Sequence, residues 1–412
     1  MRTLFIASGA PYPARGGAEQ RWWQNINILA TRGPVHVLSI GARQAGVDTM
    51  PVAAEWVHID SAEFPATRSL RALFTRLIAQ RQYPLPVLAT PIVNKRLRAM
   101  IERVDPDIIV LSHWKNGYPA PLKKCSNVIL DMHNVESLIG TDLQHIKSPF
   151  VRGILSWRWR ARERALVRNA SRTWVCGSND VGELKRLDPR LPAPIVWPNA
   201  VDLELYREVR EGKTAFPAGL QRNGATLIFV GLYSYKPNRL AATELLEKLI
   251  PLTLARMPQA RFVFVGGAPT GAMIEAAQRD PRIIVTGRVD DVRQYLALAD
   301  VCVVPIRTGG GTRAKILECF AAKIPVVSTA KGVEGIEVVA GREIRIAESP
   351  EALTEGALEL LKDPAARARQ ADAAFDLVRR LYSWSSLANQ IDDSLPPSAG
   401  TRETRLPQGA ST

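Results

Sequence analysis

Short runs of apolar residues alternate with longer amphipathic stretches along most of this chain. In the first half the runs are rich in Val, Ile and Leu and almost uniformly apolar, which is typical of parallel strands buried on both faces. They span residues 3–8, 35–40, 107–112, 127–132 and 173–178. With helices in the stretches between them, the pattern predicts a doubly wound α/β domain.

The same pattern starts again after a polar stretch near residue 210. Apolar runs follow at residues 226–231, 261–267, 282–287, 301–306 and 324–329. The predicted fold class is therefore α/β, with two Rossmann-like doubly wound domains and a cleft between them. We place the first domain at residues 1–205 and the second at residues 222–384. Residues 393–412 are rich in Pro, Ser, Thr and Gly, which predicts a disordered tail.

The composition allows two domains with separate cores, because the chain has 412 residues and 46% of them are hydrophobic. The sequence shows neither a signal-peptide pattern at its start nor an apolar stretch approaching about 18 residues. We therefore expect a cytoplasmic protein that does not span a membrane. Four cysteines stand too far apart to indicate a zinc site or a disulfide framework, namely Cys125, Cys176, Cys302 and Cys319.

Positive charge is concentrated in the first half of the chain. The net charge is 54 − 40 = +14, of which residues 1–205 carry 27 − 17 = +10. Residues 151–172 are especially rich in Arg and form an amphipathic helix pattern, which fits an anionic membrane surface. A helix packed on its own domain with a solvated Arg face fits equally well, and nucleic acid is disfavoured because no binding motif accompanies the charge. The apolar face would hold Val151, Leu155, Trp159 and Leu166, and the other face Arg160, Arg164 and Arg168, beside Trp157.

Two glycine clusters follow strand ends, where doubly wound sheets bind their ligands. Gly16 and Gly17 come after the first strand and just ahead of a helix expected to begin near Ala18. A helix N-terminus offers free N–H groups and the positive end of a dipole to an anion. Tight turns also use glycine for steric reasons alone, so each cluster by itself indicates phosphate binding only weakly.

The second cluster leads into a helix that begins with cations and carries one acid, in the stretch "GGGTRAKILECFAAKIPVVST". Thr312 is expected to cap this helix, with Arg313 and Lys315 in its first turns. Cations at a helix start oppose the dipole, so a nearby anion would relieve a local cost. Glu318 lies further along, where a carboxylate accepts both vicinal hydroxyls of a ribose, and the alternative is an exposed helix glutamate. The glycines are Gly309, Gly310 and Gly311.

These motifs, taken in their order, resemble the GT-B glycosyltransferases of family 4. That family consists of retaining enzymes that use nucleotide-diphosphate sugars. The resemblance runs from residue 2 to about residue 391, and its end, "YSWSSLANQI", implies a closing helix at residues 385–392 that returns toward the first domain. The other segments that carry it are "GGAEQR", "DMHNVES", "VWPNAVD", "FVGLYSYKPN" and "TGRVDDVRQYLALADVCVVPI".

The resemblance implies roles for individual residues. It sets Glu318 on the ribose hydroxyls, the glycine loop around the diphosphate and sugar, and Gly17 near the β-phosphate. It sets His133 toward the donor sugar and Lys236 near the diphosphate, where cations or amides stabilise the departing group. A histidine that is only hydrogen-bonded at a strand end is the alternative for His133.

Two positions depart from the family pattern. The family has a glutamate eight residues ahead of the one matched by Glu318, and Gly310 stands there instead. The family's arginine ahead of the lysine falls on Leu232. Without the first acid, the contacts to the sugar hydroxyls do not transfer, so the resemblance leaves the sugar open. Our hypothesis is that Arg313 or Lys315 replaces the missing arginine.

The implied reaction is a retaining sugar transfer in which a donor phosphate oxygen takes the acceptor proton, with no metal and no cofactor. The "DPD" at residues 105–107 is not expected to bind metal, because Pro106 begins a strand there. We expect the acceptor to be a glycan or a polyprenyl-linked saccharide at the inner face of a bacterial membrane, in envelope or exopolysaccharide assembly. A nucleotide-sugar epimerase and a non-catalytic membrane-associated scaffold are the alternatives.

Overall fold

A computed structural model gives the structure of the chain. It describes residues 1–14, 16–41, 49–60, 90–113, 119–135, 137, 148–222, 224–310 and 313–396. Two separate parallel sheets, each flanked by helices, form a first and a second unit. The predicted α/β class with two Rossmann-like units is confirmed. The exact boundaries at residues 205 and 222 stay predictions.

Within the described residues, the first sheet has seven parallel strands in the order β3-β2-β1-β4-β5-β6-β7. Reversal of the order at β1 and β4 marks the position where doubly wound sheets bind ligands. The strands predicted in this half are confirmed with shifts of at most a few residues at their ends. The bounds are β1 Thr3–Ala7, β2 Val35–Gly41, β3 Glu55–Asp60, β4 Ile108–Ser112, β5 Val128–Asp131, β6 Arg172–Val175 and β7 Ile195–Val196.

Apolar residues cover both faces of this sheet, as the uniform burial of β1, β4 and β5 requires. A short 3₁₀ helix, Ala120–Lys124, precedes β5. The helices are α1 Gly17–Ala30, α2 Thr90–Val104, α3 Pro149–Asn169 and α4 Ser178–Leu187.

The second sheet has six parallel strands in the order β10-β9-β8-β11-β12-β13. Its strands are β8 Thr226–Val230, β9 Arg261–Val265, β10 Ile283–Val285, β11 Val301–Val304, β12 Val326–Ser328 and β13 Arg345–Ile346. One buried cluster of apolar side chains joins this sheet to its helices.

The connection between the units contains a 3₁₀ turn, Glu204–Tyr206, followed by a short helix, α5 Arg207–Arg210. The helix after β8 runs continuously through a π-helical segment, Leu245–Leu249, which joins α6 Lys236–Glu244 to α7 Ile250–Arg256. The remaining helices are α8 Gly271–Arg279, α9 Arg293–Leu296, α10 Ala314–Ala321, α11 Pro350–Lys362, α12 Pro364–Leu381 and α13 Trp384–Ser394.

Three strands, β3, β7 and β13, were not predicted from the sequence. Each is the outermost strand at an edge of its sheet, so it lacks a second neighbour and is only partly covered. Two of them have only two residues. An edge strand does not need the continuous apolar run that identifies a central parallel strand, and the sequence pattern therefore gave no signal.

The last helix, α13, packs against the first unit. Leu387 and Ile391 of α13 belong to the apolar cluster beneath α1, and Arg32 Nε donates to Asp392 at 3.0 Å. The prediction of a tail disordered from residue 393 is wrong at its start, because α13 continues to Ser394, whose carbonyl accepts from Trp174 Nε1 at 3.1 Å. Residues 397–412 lie outside the described residues.

Helix α3 follows the predicted amphipathic pattern only in its second half. Trp159 and Leu166 are buried as predicted, but Val151 is 37% exposed because the first turns extend beyond the core. A bilayer-spanning helix is absent from the described part of the chain, since none of its helices combines the necessary length with the necessary apolar content.

The units face one another across a cleft and touch at glycines. A Cβ on Gly177 would lie 3.1 Å from the Cα of Gly335, so the backbone of the first unit approaches that of the second closely. Gly177 caps the N-terminus of α4, immediately after β6. The contact therefore lies at the carboxyl edge of the first sheet, which is the ligand-binding edge of such folds.

Candidate functional site

A buried ion pair lies at the carboxyl end of β5. Arg21 of α1 is 1% exposed and Asp131 is fully buried. Arg21 Nη2 and Nε donate to Asp131 Oδ1 at 2.6 and 2.9 Å. Asn25 Nδ2 and the Ser112 hydroxyl donate to the other carboxylate oxygen. Burial raises the pKa of Asp131, but the Arg21 charge and these hydrogen bonds outweigh it and hold that pKa well below its usual range.

Arg21 also joins three segments that are far apart in sequence. Its Nη1 donates to Asn199 Oδ1 at 2.9 Å, so "GGAEQR", "DMHNVES" and "VWPNAVD" meet at one guanidinium. Gln24 adds a second tie, because its side chain donates to the Pro198 carbonyl and accepts from the Ala200 N–H. The start of α1 is therefore fixed relative to the end of β5.

His133 follows Asp131 by two residues and is 8% exposed. Its Nε2 lies 3.2 Å from Ser112 Oγ and 3.5 Å from Asp131 Oδ2. The ring of His113 lies beside it, with 4.4 Å between ring centroids, and His113 has a left-handed φ of +50° directly after β4. Both histidines line a small pocket at this edge of the sheet. Sequence reasoning selected His133 and missed His113.

The first glycine cluster lies at the start of α1, as predicted. Gly16 is the N-cap residue, and its N–H donates to Glu19 Oε2 at 2.8 Å. Among the described residues, and apart from the chain neighbours and the helix's own backbone, no heavy atom lies within 4 Å of a Cβ built on Gly17, so packing in this part of the chain does not explain the glycine. An anion at this helix start would lie close to the Glu19 carboxylate.

Arg313 supports the second glycine cluster by hydrogen bonds to the backbone of the loop. Gly309 has a φ of +95°, which favours glycine, and a Cβ there would lie 2.8 Å from the Tyr235 hydroxyl. Arg313 is 7% exposed and donates to the carbonyls of Gly310 and Thr308. Helix α10 begins at Ala314 with Arg313 as its N-cap, so the cation precedes the helix instead of lying in its first turn. Gly311 and Thr312 lie outside the described residues.

Lys315 occupies the first turn of α10 and reaches the end of β8. Its Nζ donates to Asn238 Oδ1 at 2.8 Å and lies 4.3 Å from the centre of the Phe229 ring. A Cβ on Gly231 would lie 3.1 Å from this Nζ, so the glycine leaves room for the ammonium. Burial lowers the pKa of Lys315 to about 7.

Lys236 and Leu232 border the same region and are both exposed. Lys236 is the first residue of α6, and its neighbours Tyr235 and Pro237 both face Gly309. The structure thus brings Lys236 beside the glycine loop. Leu232 is 55% exposed, and no cation stands at that position.

Glu318 is half-buried and faces the first unit. Gln20 Nε2 of α1 donates to its Oε1 at 3.0 Å, and the Tyr206 hydroxyl donates to the same carboxylate. Burial raises the pKa of Glu318, while these two hydrogen bonds and the Lys315 charge act in the opposite direction. The alternative of an exposed helix glutamate does not describe this residue.

Several contact residues of the site were not recognised in the sequence. Gln20 and Arg21 lie within a motif that was selected for its glycines, and Asn238 lies within "FVGLYSYKPN". A signal existed for Arg21 and Asp131, because each is a charged residue among apolar ones in an element that must be buried. Tyr206 gave no signal of its own.

Asp105 and Asp107 lie ahead of β4, at the end of the sheet opposite the cleft. Arg2 Nη2 lies 3.0 Å from Asp105 Oδ2, and the Arg2 N–H donates to Asp107 at 2.6 Å. A structural role for "DPD" agrees with these contacts. Among the described residues, His, Cys, Asp and Glu side chains form no group of three or more arranged to hold a metal ion.

Comparison with known protein families gives a match within the second unit. Residues 224–363 match the family model described as "Glycosyl transferases group 1". This range contains β8 to β13, the glycine loop, Lys315 and Glu318. The predicted resemblance to this group of enzymes is confirmed over these residues. No protein with a curated description matches the sequence at a significant level.

Solved structures extend the likeness to both units. Sucrose-phosphate synthase from Thermosynechococcus elongatus aligns with a TM-score of 0.69 at 18% identity, over 95% of this chain and 98% of that one. WaaG, a glycosyltransferase involved in lipopolysaccharide biosynthesis, aligns with a TM-score of 0.65 at 15% identity, over 97% and 100%. Anabaena HepE in complex with UDP and glucose aligns with a TM-score of 0.62 at 15% identity, over 95% and 98%. The chain therefore has the two-unit GT-B fold of these glycosyltransferases.

Proposed function

We propose that this protein is a retaining glycosyltransferase that moves a sugar from a nucleotide-diphosphate donor to a glycan or polyprenyl-linked acceptor. The observation that carries the proposal is the convergence of Glu318, Lys315 and the glycine loop on the cleft, within the unit that matches group 1 glycosyltransferases. A carboxylate for the ribose, a cation and a glycine-rich loop are the features that suit a nucleotide-diphosphate sugar. The HepE and trehalose-6-phosphate structures with UDP-based ligands support this class of donor.

Lys315 is the better candidate for the missing arginine. The Arg313 guanidinium is engaged with two carbonyls beneath the glycine loop, so it holds the loop's shape. The Lys315 ammonium extends from the first turn of α10 to the end of β8. There it lies next to Gly231, the residue before Leu232. In this proposal Lys315 and Lys236 face the diphosphate, and Gly17 lies near its β-phosphate.

The proposed chemistry needs little from the protein beyond position and charge. Cations and the N-terminus of α10 stabilise the departing diphosphate, and a phosphate oxygen takes the acceptor proton as the new bond forms on the same face of the sugar. His133, oriented by Ser112 and Asp131, faces the sugar. Exclusion of water by the closed units limits hydrolysis. We propose no metal and no cofactor in this reaction.

The test of the proposed function has two stages. Thermal unfolding with UDP, GDP and ADP should show stabilisation by one nucleotide, since a ligand at about 100 times its Kd adds about 2.7 kcal/mol. The matching nucleotide sugars, given with lipid-linked or free glycan acceptors, should then yield product with the donor's anomeric configuration. Conversion of the donor without acceptor would favour an epimerase. Absence of nucleotide binding would favour a scaffold.

We predict that nucleotide affinity declines above pH 7 through Lys315. The ammonium binds the diphosphate only when protonated, and its pKa is about 7 without ligand. Affinity should therefore be flat below this pH and fall by up to about tenfold per pH unit above it. Titration calorimetry between about pH 7 and pH 9 measures this dependence, and Lys315→Met should flatten the profile.

Lys323→Met is the matched control for this prediction, because Lys323 lies just past the same helix and pairs with Asp372 at the surface. The control should keep the profile of the native protein. An unchanged pH profile in Lys315→Met would assign the dependence to another group.

We further propose that α3 docks on an anionic membrane, where a lipid-linked acceptor would be found. Its first turns expose Phe150 and Trp157, at 76% and 66%, along with Val151 and Ile154. The helix contains six arginines and one acid, Glu163, which is buried and accepts from the Ser137 N–H. Exposed apolar groups flanked by arginines suit an anionic lipid surface. This location would make the protein a peripheral one at the inner face of the membrane.

Replacement of Ile154 by glutamate should lower vesicle binding at least about tenfold, since an apolar contact is lost and a like charge meets the lipid. Flotation with phosphatidylglycerol vesicles at low salt measures the effect. Ile274→Glu is the matched control, because Ile274 is a helical isoleucine of the second unit with 45% exposure against 43% for Ile154. If the native protein does not float with these vesicles, the membrane proposal is wrong.

A further inference from the structure

The Glu318 carboxylate is held by two donors that come from outside its own helix. Gln20 Nε2 reaches it from the first unit at 3.0 Å, and the Tyr206 hydroxyl reaches it from the connection between the units. Gln20 therefore makes a direct side-chain hydrogen bond across the cleft. The carboxylate that would receive the ribose is thus engaged by both donors.

Both donors are firmly placed. Gln20 precedes Arg21, whose guanidinium is fixed by Asp131 and Asn199, so the first turn of α1 has little freedom. Tyr206 is 5% exposed and packs in the apolar core of the second unit. Burial and the Glu318 charge raise the pKa of Tyr206, so its hydroxyl keeps the proton that it donates.

The two donors differ in which unit they belong to. Tyr206 packs in the same unit as Glu318, whereas Gln20 belongs to the first unit. Vicinal ribose hydroxyls donate to a carboxylate just as an amide N–H does. The Gln20 amide approaches Glu318 from the cleft, which is also the side from which a nucleotide would enter. The amide and the ribose would therefore compete for the cleft-facing side of the same carboxylate.

We propose that Gln20 is a positioning residue that holds Glu318 across the cleft in the nucleotide-free protein and yields it to the ribose when the donor binds. This inference rests on the proposed function, in which Glu318 binds the ribose. Tyr206 keeps its hydrogen bond throughout and orients the carboxylate. Nucleotide binding then breaks the Gln20–Glu318 hydrogen bond between the units, and nucleotide departure restores it.

The test compares a nucleoside diphosphate with its 2′,3′-dideoxy analogue. The nucleobase is the one that stabilises the native protein. Gln20→Ala should bind the ribose-bearing nucleotide about 3- to 10-fold more tightly, because no hydrogen bond must be broken first. Its affinity for the dideoxy analogue should not change, since that ligand leaves the Gln20 bond in place. Asn27→Ala is the matched control, because Asn27 is an amide of the same helix that donates only to the Trp23 carbonyl of that helix.

A second measurement separates this role from a purely structural one. The Gln20 hydrogen bond lowers the pKa of Glu318, so its removal should raise that pKa. Glu318 accepts both hydroxyls only as a carboxylate, and affinity is lost as the pH falls through its pKa. In Gln20→Ala this loss should therefore begin at a higher pH than in the native protein and in Asn27→Ala.

The outcomes distinguish a failure of the role proposed for Gln20 from a failure of the proposed function. Weaker or unchanged binding of the ribose-bearing nucleotide by Gln20→Ala, with Glu318→Ala still impaired, would overturn the role of Gln20 and leave the proposed function in place. Equal strengthening for both nucleotides would also overturn it, since the ribose would then be irrelevant. If no nucleoside diphosphate binds the native protein, the proposed function fails and this inference fails with it.

Discussion

Glu318→Ala should remove almost all stabilisation of this protein by its nucleotide. The substitution deletes an acceptor for two hydroxyl groups, and hydrogen bonds to a charged group contribute about 1.5–3 kcal/mol each. A loss of about 100-fold in affinity would reduce the stabilisation at a fixed nucleotide concentration from about 2.7 to less than about 0.5 kcal/mol. Thermal unfolding of the native and variant proteins, with and without nucleotide, measures this difference.

Two control variants sharpen the Glu318 result. Glu318→Gln keeps the shape and one strong acceptor, so it should retain part of the stabilisation. Glu275→Ala removes an exposed helix glutamate of the same unit, which pairs with Arg279 on its own helix, and should leave the nucleotide effect intact. Full stabilisation of Glu318→Ala would show that the ribose does not contact this helix.

Asp131→Ala should destabilise the protein by about 3–5 kcal/mol, because it leaves the Arg21 guanidinium buried without its counter-charge. The large effect follows from the complete burial of the pair. Urea unfolding near neutral pH, followed by far-ultraviolet circular dichroism, measures the loss. Arg21→Met combined with Asp131→Leu removes both charges and should recover much of the stability.

The Asp131 contribution should also depend on pH in a defined direction. Its pKa in the folded protein lies well below the unfolded value of about 3.9, so the stabilisation is present above that value and is lost as the pH falls. Asp376→Ala, which breaks the exposed pair with Arg379 on α12, is the matched control and should change stability little. A similarly small change in Asp131→Ala would show that Arg21 is satisfied by Asn199 alone.

The amino-acid sequence by itself determined the architecture. Central strands such as β1, β4, β8 and β11 are buried on both faces and must be uniformly apolar. Their positions could therefore be predicted from the sequence to within a few residues. The turns that contain glycines at strand ends could also be predicted, because only a few residue types suit a turn between a strand and a helix. Edge strands have no such requirement, and three of them, β3, β7 and β13, were missed.

Only the tertiary structure decided which of these residues act together. The partners in Gln20–Glu318, Arg21–Asp131 and Lys315–Asn238 are separated by about 80 to 300 positions in the chain, and a local pattern carries no information on such pairs. The structure also shows that the two cations make different contacts: Arg313 supports the glycine loop, whereas Lys315 reaches the end of β8. The physical reason is that secondary structure depends on the burial of each segment, whereas a binding site depends on where the ends of distant strands and helices meet.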